Sequence, residues 1–407
     1  MQLWRFVSNP RVSSDKVIEG WSERTREAAV GQHVLAIHDS SDLKFATTED
    51  NRRGLGKVKK GSSYGVVLHA MIGVNADSGA LLGLVGGRIW TRQGDVETPH
   101  AERPLEEKES QRWVATAKQA RQTLAGAAMV TLVGDRESDF YANWALSPAD
   151  NVHLLTRLMK DHAVVKGGTV RKALGQLPVA GRAVIELRER ATRRARTAHL
   201  CLRFGAMVIR RPKNTLEKNL PDSIPVNVVE VVEPHPPKGA EPVQWILLTT
   251  HDVSTLEQAW QIVGWYRQRW IIEQFFRTMK RQGLRIEDSQ LTTADRLCKM
   301  VAIAAHAAAI VMQLVQARDG NDTQPASLAF TQHEIKLIAL INLQYQGKTA
   351  RQKNPHPPNS LAWAAWVIAK LGGWHEYEAK PPGPITFYNG LTAFRAAASI
   401  LKLVSMP

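Results

Sequence analysis

Residues 265–281 read WYRQRWIIEQFFRTMKR, with no Gly or Pro and with large aromatics set among Arg, Glu and Lys. At about 100° per residue, offsets of 0, 3, 7 and 14 fall within roughly 60° of one another. Tyr266, Arg269, Glu273 and Lys280 therefore form a stripe along one helix face. Ile271, Phe275 and Met279 follow the i, i+4, i+8 spacing and lie on the opposite side. One side of such a helix packs into a core while the other presents a carboxylate flanked by cations and an aromatic ring. Ser254 and Glu257 are spaced as a capping box for a helical segment entering this region. The ordinary reading of an amphipathic helix is a solvated charged face, so the rest of the chain must decide.

The chain has 407 residues, enough for two or three domains and a large core. Its formal net charge is +15 and its pI about 9.9. Such a balance favours polyanions, with DNA or RNA ahead of an anionic membrane surface. The most apolar run, MVAIAAHAAAIVMQLV, is short for a membrane span, contains His306 and follows Lys299. The start, MQLWRFVSNP, has no long apolar run, so no signal peptide is visible. Cys201 and Cys298 are the only cysteines. That argues against a disulfide framework or a Cys-based zinc site and fits a reducing cytoplasm. Both thiols are expected to be buried.

Patterning divides the chain. The first 30 residues read as helical and polar. HVLAIHDSS gives a short apolar run, Val34 to Ile37, that stops at Asp39. YGVVLHAMIGV and GALLGLVGGRIW read as two strands joined by a turn at NADSG. EEKESQRWVATAKQARQTLAG reads as a helix with a Gly stop, and AAMVTLVGDRESDF as a buried strand running into Gly134 and Asp135. A helix (SDFYANWAL) and a strand (VHLLTRL) follow. Residues 160–244 are rich in β-formers, carry basic clusters at Arg193, Arg194, Arg196 and at Arg210, Arg211, Lys213, and are interrupted by EPHPPKGAEP. They read as a β-rich insertion. Beyond residue 290 the chain is mostly helical and breaks at the exposed-looking, basic loop QGKTARQKNPHPPN.

Two hydrophobic strands thus end at aspartates, Asp39 and Asp135, and Glu273 follows far downstream. Strands buried on both faces of an α/β sheet deliver polar residues at their ends, where ligands bind. Three carboxylates brought together repel one another, and divalent metal relieves that repulsion. Mg²⁺ takes oxygen ligands and tolerates a few carboxylates with water and phosphate oxygens. Two such ions about 4 Å apart can activate water and stabilise the leaving oxygen of a phosphodiester. On spacing alone this remains suggestive, because any enzyme has many Asp and Glu residues.

The motifs make it specific. Tyr266-x2-Arg269-x3-Glu273-x6-Lys280 resembles the Tyr-Arg-Glu-Lys signature of bacterial cut-and-paste transposases of the insertion-sequence-four family, which includes the transposase of transposon five. IHDSSDL around Asp39 resembles that family's first-aspartate segment, and VGDRESDFY around Asp135 its second. The likeness runs from WRFVSNPRVS, through WILLTT, to LAWAAWVIAKLGGW, nearly the whole chain. It implies an α/β fold: a ribonuclease-H-like catalytic core (31–159 and 245–290), a β-rich insertion (160–244) and a helical C-terminal dimerisation domain (291–407), after an N-terminal helical segment (1–30). It implies Asp39, Asp135 and Glu273 as the catalytic ligands of Mg²⁺, for which Mn²⁺ can substitute. It implies double-stranded DNA, transposon ends and target, as partner of a homodimer, with no nucleotide cofactor. In the family one site nicks a strand, forms a hairpin, opens it and joins the freed 3′-OH to target DNA, each step an in-line phosphoryl transfer.

Hairpin formation needs a sharply bent strand, a flipped base and an aromatic platform. By resemblance Trp245 is the stacking residue, against a plain core tryptophan on a strand. Tyr266, Arg269 and Lys280 are the phosphate contacts, and Arg157, by its distance from Asp135, is an arginine near the DNA. His38 reads as a neighbour of Asp39 rather than a ligand. Glu137 and Asp139 read as residues that cap or orient the following helix. Lys57, Lys59, Lys60 and the Arg193–Arg196 cluster are further DNA candidates. Family members usually carry an additional N-terminal module that recognises the transposon end. Here the chain opens almost at WRF, so that module is expected to be missing. The alternative function is a shortened regulator that inhibits full-length transposase through mixed dimers.

Overall fold

The computed structural model describes residues 2–48, 52–58, 63–92, 94, 98–99, 102–189, 194–321, 323–349, 352–375 and 380–404. Three short helices open it, α1 (Gln2–Val7), α2 (Ser14–Glu19) and α3 (Glu23–Ala28). Strands β1 (His33–Phe45), β2 (Gly56–Lys57), β3 (Tyr64–Asn75) and β4 (Leu81–Trp90) follow, then α4 (Gln111–Thr123), β5 (Met129–Gly134), α5 (Tyr141–Leu146) and β6 (Val152–Arg157). Next come α6 (Val170–Gly175), β7 (Gly181–Leu187), β8 (Arg196–Arg210), β9 (Ser223–Val232) and β10 (Gln244–Thr249). The remainder is helical: α7 (Leu256–Arg267), α8 (Trp270–Lys280), α9 (Ala294–Ala317), α10 (Gln332–Tyr345), α11 (Leu361–Leu371) and α12 (Pro384–Val404).

Among the described residues ten strands form one mixed sheet, in the order β2-β3-β1-β5-β6-β10-β9-β8-β7, with β4 also on β3. β1, β5 and β6 run parallel, while β3 is antiparallel to β1 and β10 to β6. The turn at 75–79 forms as the sequence implies. The Asn75 side chain accepts from Asp77 N and Ser78 N, and Gly79 takes φ +74, where a Cβ would strain the backbone. The strands of residues 160–244 extend the same sheet, because β9 pairs with β10.

Alternation along β1 decides the layering. Leu35 and Ile37 face a core shared with Ile272, Phe275, Met279, Leu297 and Val301, from α8 and α9. Val34 and Ala36 face a second core with Ala117 and Ala120 of α4 and Trp144 of α5. The central sheet is thus buried on both faces, which is why its strands read as continuous apolar runs. A third core, with Phe330, Trp363, Trp366, Phe387 and Phe394, joins α10, α11 and α12 to the end of α9.

Five local expectations are corrected. The first strand does not stop at Asp39; it runs six residues further to Phe45, because β3 stays paired with it from Asn75 back to Tyr64. The helix at 265–281 is two helices. Between α7 and α8 the bonds shorten to the i→i−3 type, with Gln268 N on Trp265 O, Arg269 N on Tyr266 O and Ile271 N on Gln268 O. The capping box sits one residue later than expected: Thr255 accepts from Gln258 N, and the Gln258 side chain accepts from Thr255 N. The apolar run of 300–315 belongs to a 24-residue helix, α9, long and apolar enough to cross a membrane. In the fold 67% of its most apolar window is buried inside the protein, as in a core helix. The two thiols, expected to be buried, are only partly so.

Candidate active site

Asp39 and Asp135 are brought together by register. β1 and β5 pair in parallel through Ile37↔Val133, so two residues further on each strand lead to the two aspartates. They stand just past the last parallel β1–β5 pair, toward the carboxyl side of the parallel strands, where open α/β sheets place ligands. Each is held by a backbone amide: Asp39 Oδ1 accepts from Ser40 N at 2.7 Å, and Asp135 Oδ1 from Glu137 N at 2.8 Å. Both line a cavity of about 180 Å³ with Ser40, Asp42, Trp90, Arg92, Glu109, Arg112 and Glu137.

Glu273 reaches Asp39 through a cation. Arg269 donates from one terminal nitrogen to Asp39 Oδ2 at 3.2 Å and from the other to Glu273 Oε1 at 2.6 Å. The break between α7 and α8 places Arg269 at the head of α8, one turn ahead of Glu273. Among the described residues no three His, Cys, Asp or Glu side chains stand close enough together to hold one metal ion. The guanidinium occupies the space between two of the three candidate ligands.

Electrostatics mark the same place. Burial, reinforced by Asp135, pushes the Asp39 carboxyl from 3.8 up to about 7, against the pull of Ser40 N and Arg269. Burial also raises Asp135, against the Glu137 amide. Two desolvated carboxyls with too little counter-charge, all donors oxygen, suit a hard divalent cation.

Three of the DNA candidates, Tyr266, Trp245 and Arg157, gather together, and Lys280 lies apart. Tyr266 is buried and meets Trp245 edge-on at 5.4 Å between ring centroids. Trp245 is half-buried on β10, and Arg157, at the end of β6, donates to Gln244 O at 2.7 Å. Burial, then Arg136, lowers the Arg157 pKa, with a further push from Arg269. Lys280 lies at the other end of α8, donating to Asp42 O at 2.7 Å, and burial lowers its pKa.

Other candidates find structural work. His38 points away from the cavity; it is fully buried edge-on against Trp113, its Nδ1 3.2 Å from Thr116 Oγ1, and burial lowers it to about 3. Asp139 orients the next elements: it accepts from Trp144 Nε1, Met159 N and His162 Nε2. Glu137 lines the cavity and pairs with Arg112 at 2.7 Å. Arg196 is committed to Glu233, and Arg211 to Asp222 and the carbonyls of Lys218 and Leu220. Lys57, Arg194, Arg210 and Lys213 are exposed, while Arg193, Lys59 and Lys60 lie outside the described residues. Sequence reasoning missed Arg92, Glu109 and Arg112 in the cavity wall. Arg92 binds both Asp42 and Glu109. Nothing in the helical pattern of α4 distinguishes Arg112 from a solvated surface arginine.

A model of the transposase DDE domain matches residues 31–310, more than half of the chain. The chain belongs to that family, one of metal-dependent enzymes that cut and join phosphodiesters. Among solved structures it is similar to a piggyBac transposase synaptic complex with hairpin DNA, determined by cryo-electron microscopy. The TM-score is 0.38 and the identity 12%, over 72% of this chain and 48% of that one. The chain therefore spans about half the length of that neighbour.

Proposed function

We propose that this chain is a cut-and-paste DNA transposase of the insertion-sequence-four type. Its core would be ribonuclease-H-like, with residues 160–244 as an insertion and 291–407 as a dimerisation domain. The reading rests above all on one observation: Asp39 and Asp135 stand just past the last parallel pair of β1 and β5, in one cavity, with Arg269 linking Asp39 to Glu273. Family membership and the Tyr-Arg-Glu-Lys spacing support it. So does the net charge of +15, which suits a DNA partner. Acting on DNA as a bacterial-type transposase, the protein would work in the cytoplasm.

Asp39, Asp135 and Glu273 would hold Mg²⁺ or Mn²⁺. The metal would supply positive charge to the attacking and leaving oxygens of the phosphodiester. For Glu273 to join the two aspartates, Arg269 must release it. A phosphate arriving in the cavity offers the guanidinium an alternative bidentate partner. Arg269 would then move from carboxylate to phosphate and hold the strand in line. Tyr266 and Arg157 would fix the flanking phosphates, and Trp245 would receive the flipped base during hairpin formation. Lys280 would contact the backbone at the far end of α8.

The test uses a supercoiled plasmid carrying the DNA that flanks the gene, with the purified protein and Mn²⁺. The wild-type chain is expected to nick it and form hairpins. Asp39→Ala, Asp135→Ala and Glu273→Ala should each abolish nicking while retaining DNA binding. Nicking by any of the three at the wild-type rate rejects the assignment of that residue.

A further inference from the structure

We propose that Arg112 is the positioning residue that sets the separation of Asp39 and Asp135. The inference rests on the reading of those aspartates as metal ligands. Arg112 lies on α4, is only 7% exposed, and comes from a segment distinct from both aspartates. Its Nε donates to Ser40 Oγ at 2.8 Å, beside Asp39 in sequence. One terminal nitrogen donates to Glu137 Oε2 at 2.7 Å, two residues beyond Asp135. The other donates to Glu109 O at 2.7 Å and anchors the group to the start of its own helix.

A planar guanidinium held by three hydrogen bonds is a rigid spacer. Here it spans β1 and the turn after β5, the two segments that carry the aspartates. Each of its three nitrogens already serves a protein acceptor, so the side chain is tied into the walls of the site. The spacer is itself backed by a buried chain: Ser40 Oγ lies 2.8 Å from His69 Nδ1, and His69 Nε2 3.3 Å from Thr116 Oγ1. His69 and Thr116 are fully buried, so a buried hydrogen-bonded chain holds Ser40 from behind. Glu137, next to the ligand Asp135 yet bound to Arg112, then acts as an acceptor for the spacer.

The experiment measures Mn²⁺ binding to the metal-stripped full chain by loss of the free-ion paramagnetic resonance signal. Asp39→Ala is the control. If wild type binds no Mn²⁺, or Asp39→Ala binds it equally well, the carboxylate reading fails and this inference with it. With that control met, Arg112→Lys and Glu137→Ala should each weaken Mn²⁺ about tenfold, the size usual for partners that orient ligands. Glu137→Gln keeps an oxygen acceptor for Arg112 and should stay within about twofold of wild type. Urea midpoints in chelator identify general loss of folding, which would lower all sites together. Arg112→Lys that binds Mn²⁺ as wild type does overturns the proposal. Equal losses in Glu137→Gln and Glu137→Ala also overturn it, because Glu137 would then be a ligand itself.

Discussion

Asp39 is a carboxylate whose charge the fold opposes, and Asp39→Asn turns this into a measurement. Its carboxyl is raised from 3.8 to about 7, first by burial and then by Asp135. In the folded, metal-free chain the proton is retained between about pH 4 and pH 7, whereas the unfolded chain has released it. The folded state binds more protons there, so stability falls as pH rises through that window and levels off above pH 7. Roughly three pH units at about 1.4 kcal/mol each give a penalty of about 4 kcal/mol at neutral pH. Asparagine has the shape of the protonated carboxyl without the titration. Urea unfolding in chelator should therefore show Asp39→Asn gaining on wild type as pH rises. Between pH 5 and pH 8 the gain should be about 2 to 3 kcal/mol. Asp135 is raised too, by burial, so it adds to the same trend and broadens the curve without reversing it. Divalent metal should erase the difference, because it needs the ionised carboxylate and stabilises it. A stability difference that stays flat with pH would refute the claim that Asp39 is buried against Asp135 without sufficient counter-charge.

Three further outcomes test separate parts of the molecule. Trp245→Ala should slow hairpin formation about ten- to hundredfold relative to first-strand nicking, the range of one lost base–aromatic stack; equal slowing of both steps removes its stacking role. Asp139→Ala leaves Trp144 Nε1, Met159 N and His162 without their shared acceptor. It should cost about 3 kcal/mol or more in urea unfolding, and a cost under about 1 kcal/mol would contradict its orienting role. His251, buried, stacked on His153 at 3.9 Å and 2.7 Å from Thr131 Oγ1, is lowered to about 3, first by burial and then by His153 and His33. The unfolded chain gains a proton below pH 6.5 that the folded chain refuses, so stability drops as pH falls from 6.5. His251→Gln should blunt that drop by about 2 kcal/mol between pH 6.5 and pH 5; an unchanged acid profile would place the acid-sensitive group elsewhere.

Much of this was legible because it is local. The buried strands announced themselves as apolar runs, and the turn at 75–79 by Asn75 and Gly79. The apolar face of α8 was readable from Ile271, Phe275 and Met279, all buried in the fold. The helical character after residue 290 follows from the same periodicity. Other features depend on partners that periodicity cannot see. The length of β1 beyond Asp39 was hidden because β3, not β1's own composition, keeps it extended. The break at Gln268–Arg269 was hidden because both residues keep helical backbone angles and neither is Gly or Pro. The capping box shifted by one residue because Thr255 and Ser254 are chemically equivalent candidates at that spacing.

By itself the sequence determined which residues carry charge and chemistry: two aspartates in separate motifs and a Tyr-Arg-Glu-Lys set at fixed spacing. The tertiary structure alone decided how they meet. It set Asp39 beside Asp135 through parallel register, put Arg269 between Asp39 and Glu273 across 230 residues of chain, and brought Arg112 to both aspartate segments. The physical reason is that side-chain type is a property of one residue. Desolvation, ion pairing and the spacing of like charges are properties of neighbours that only the folded chain assembles.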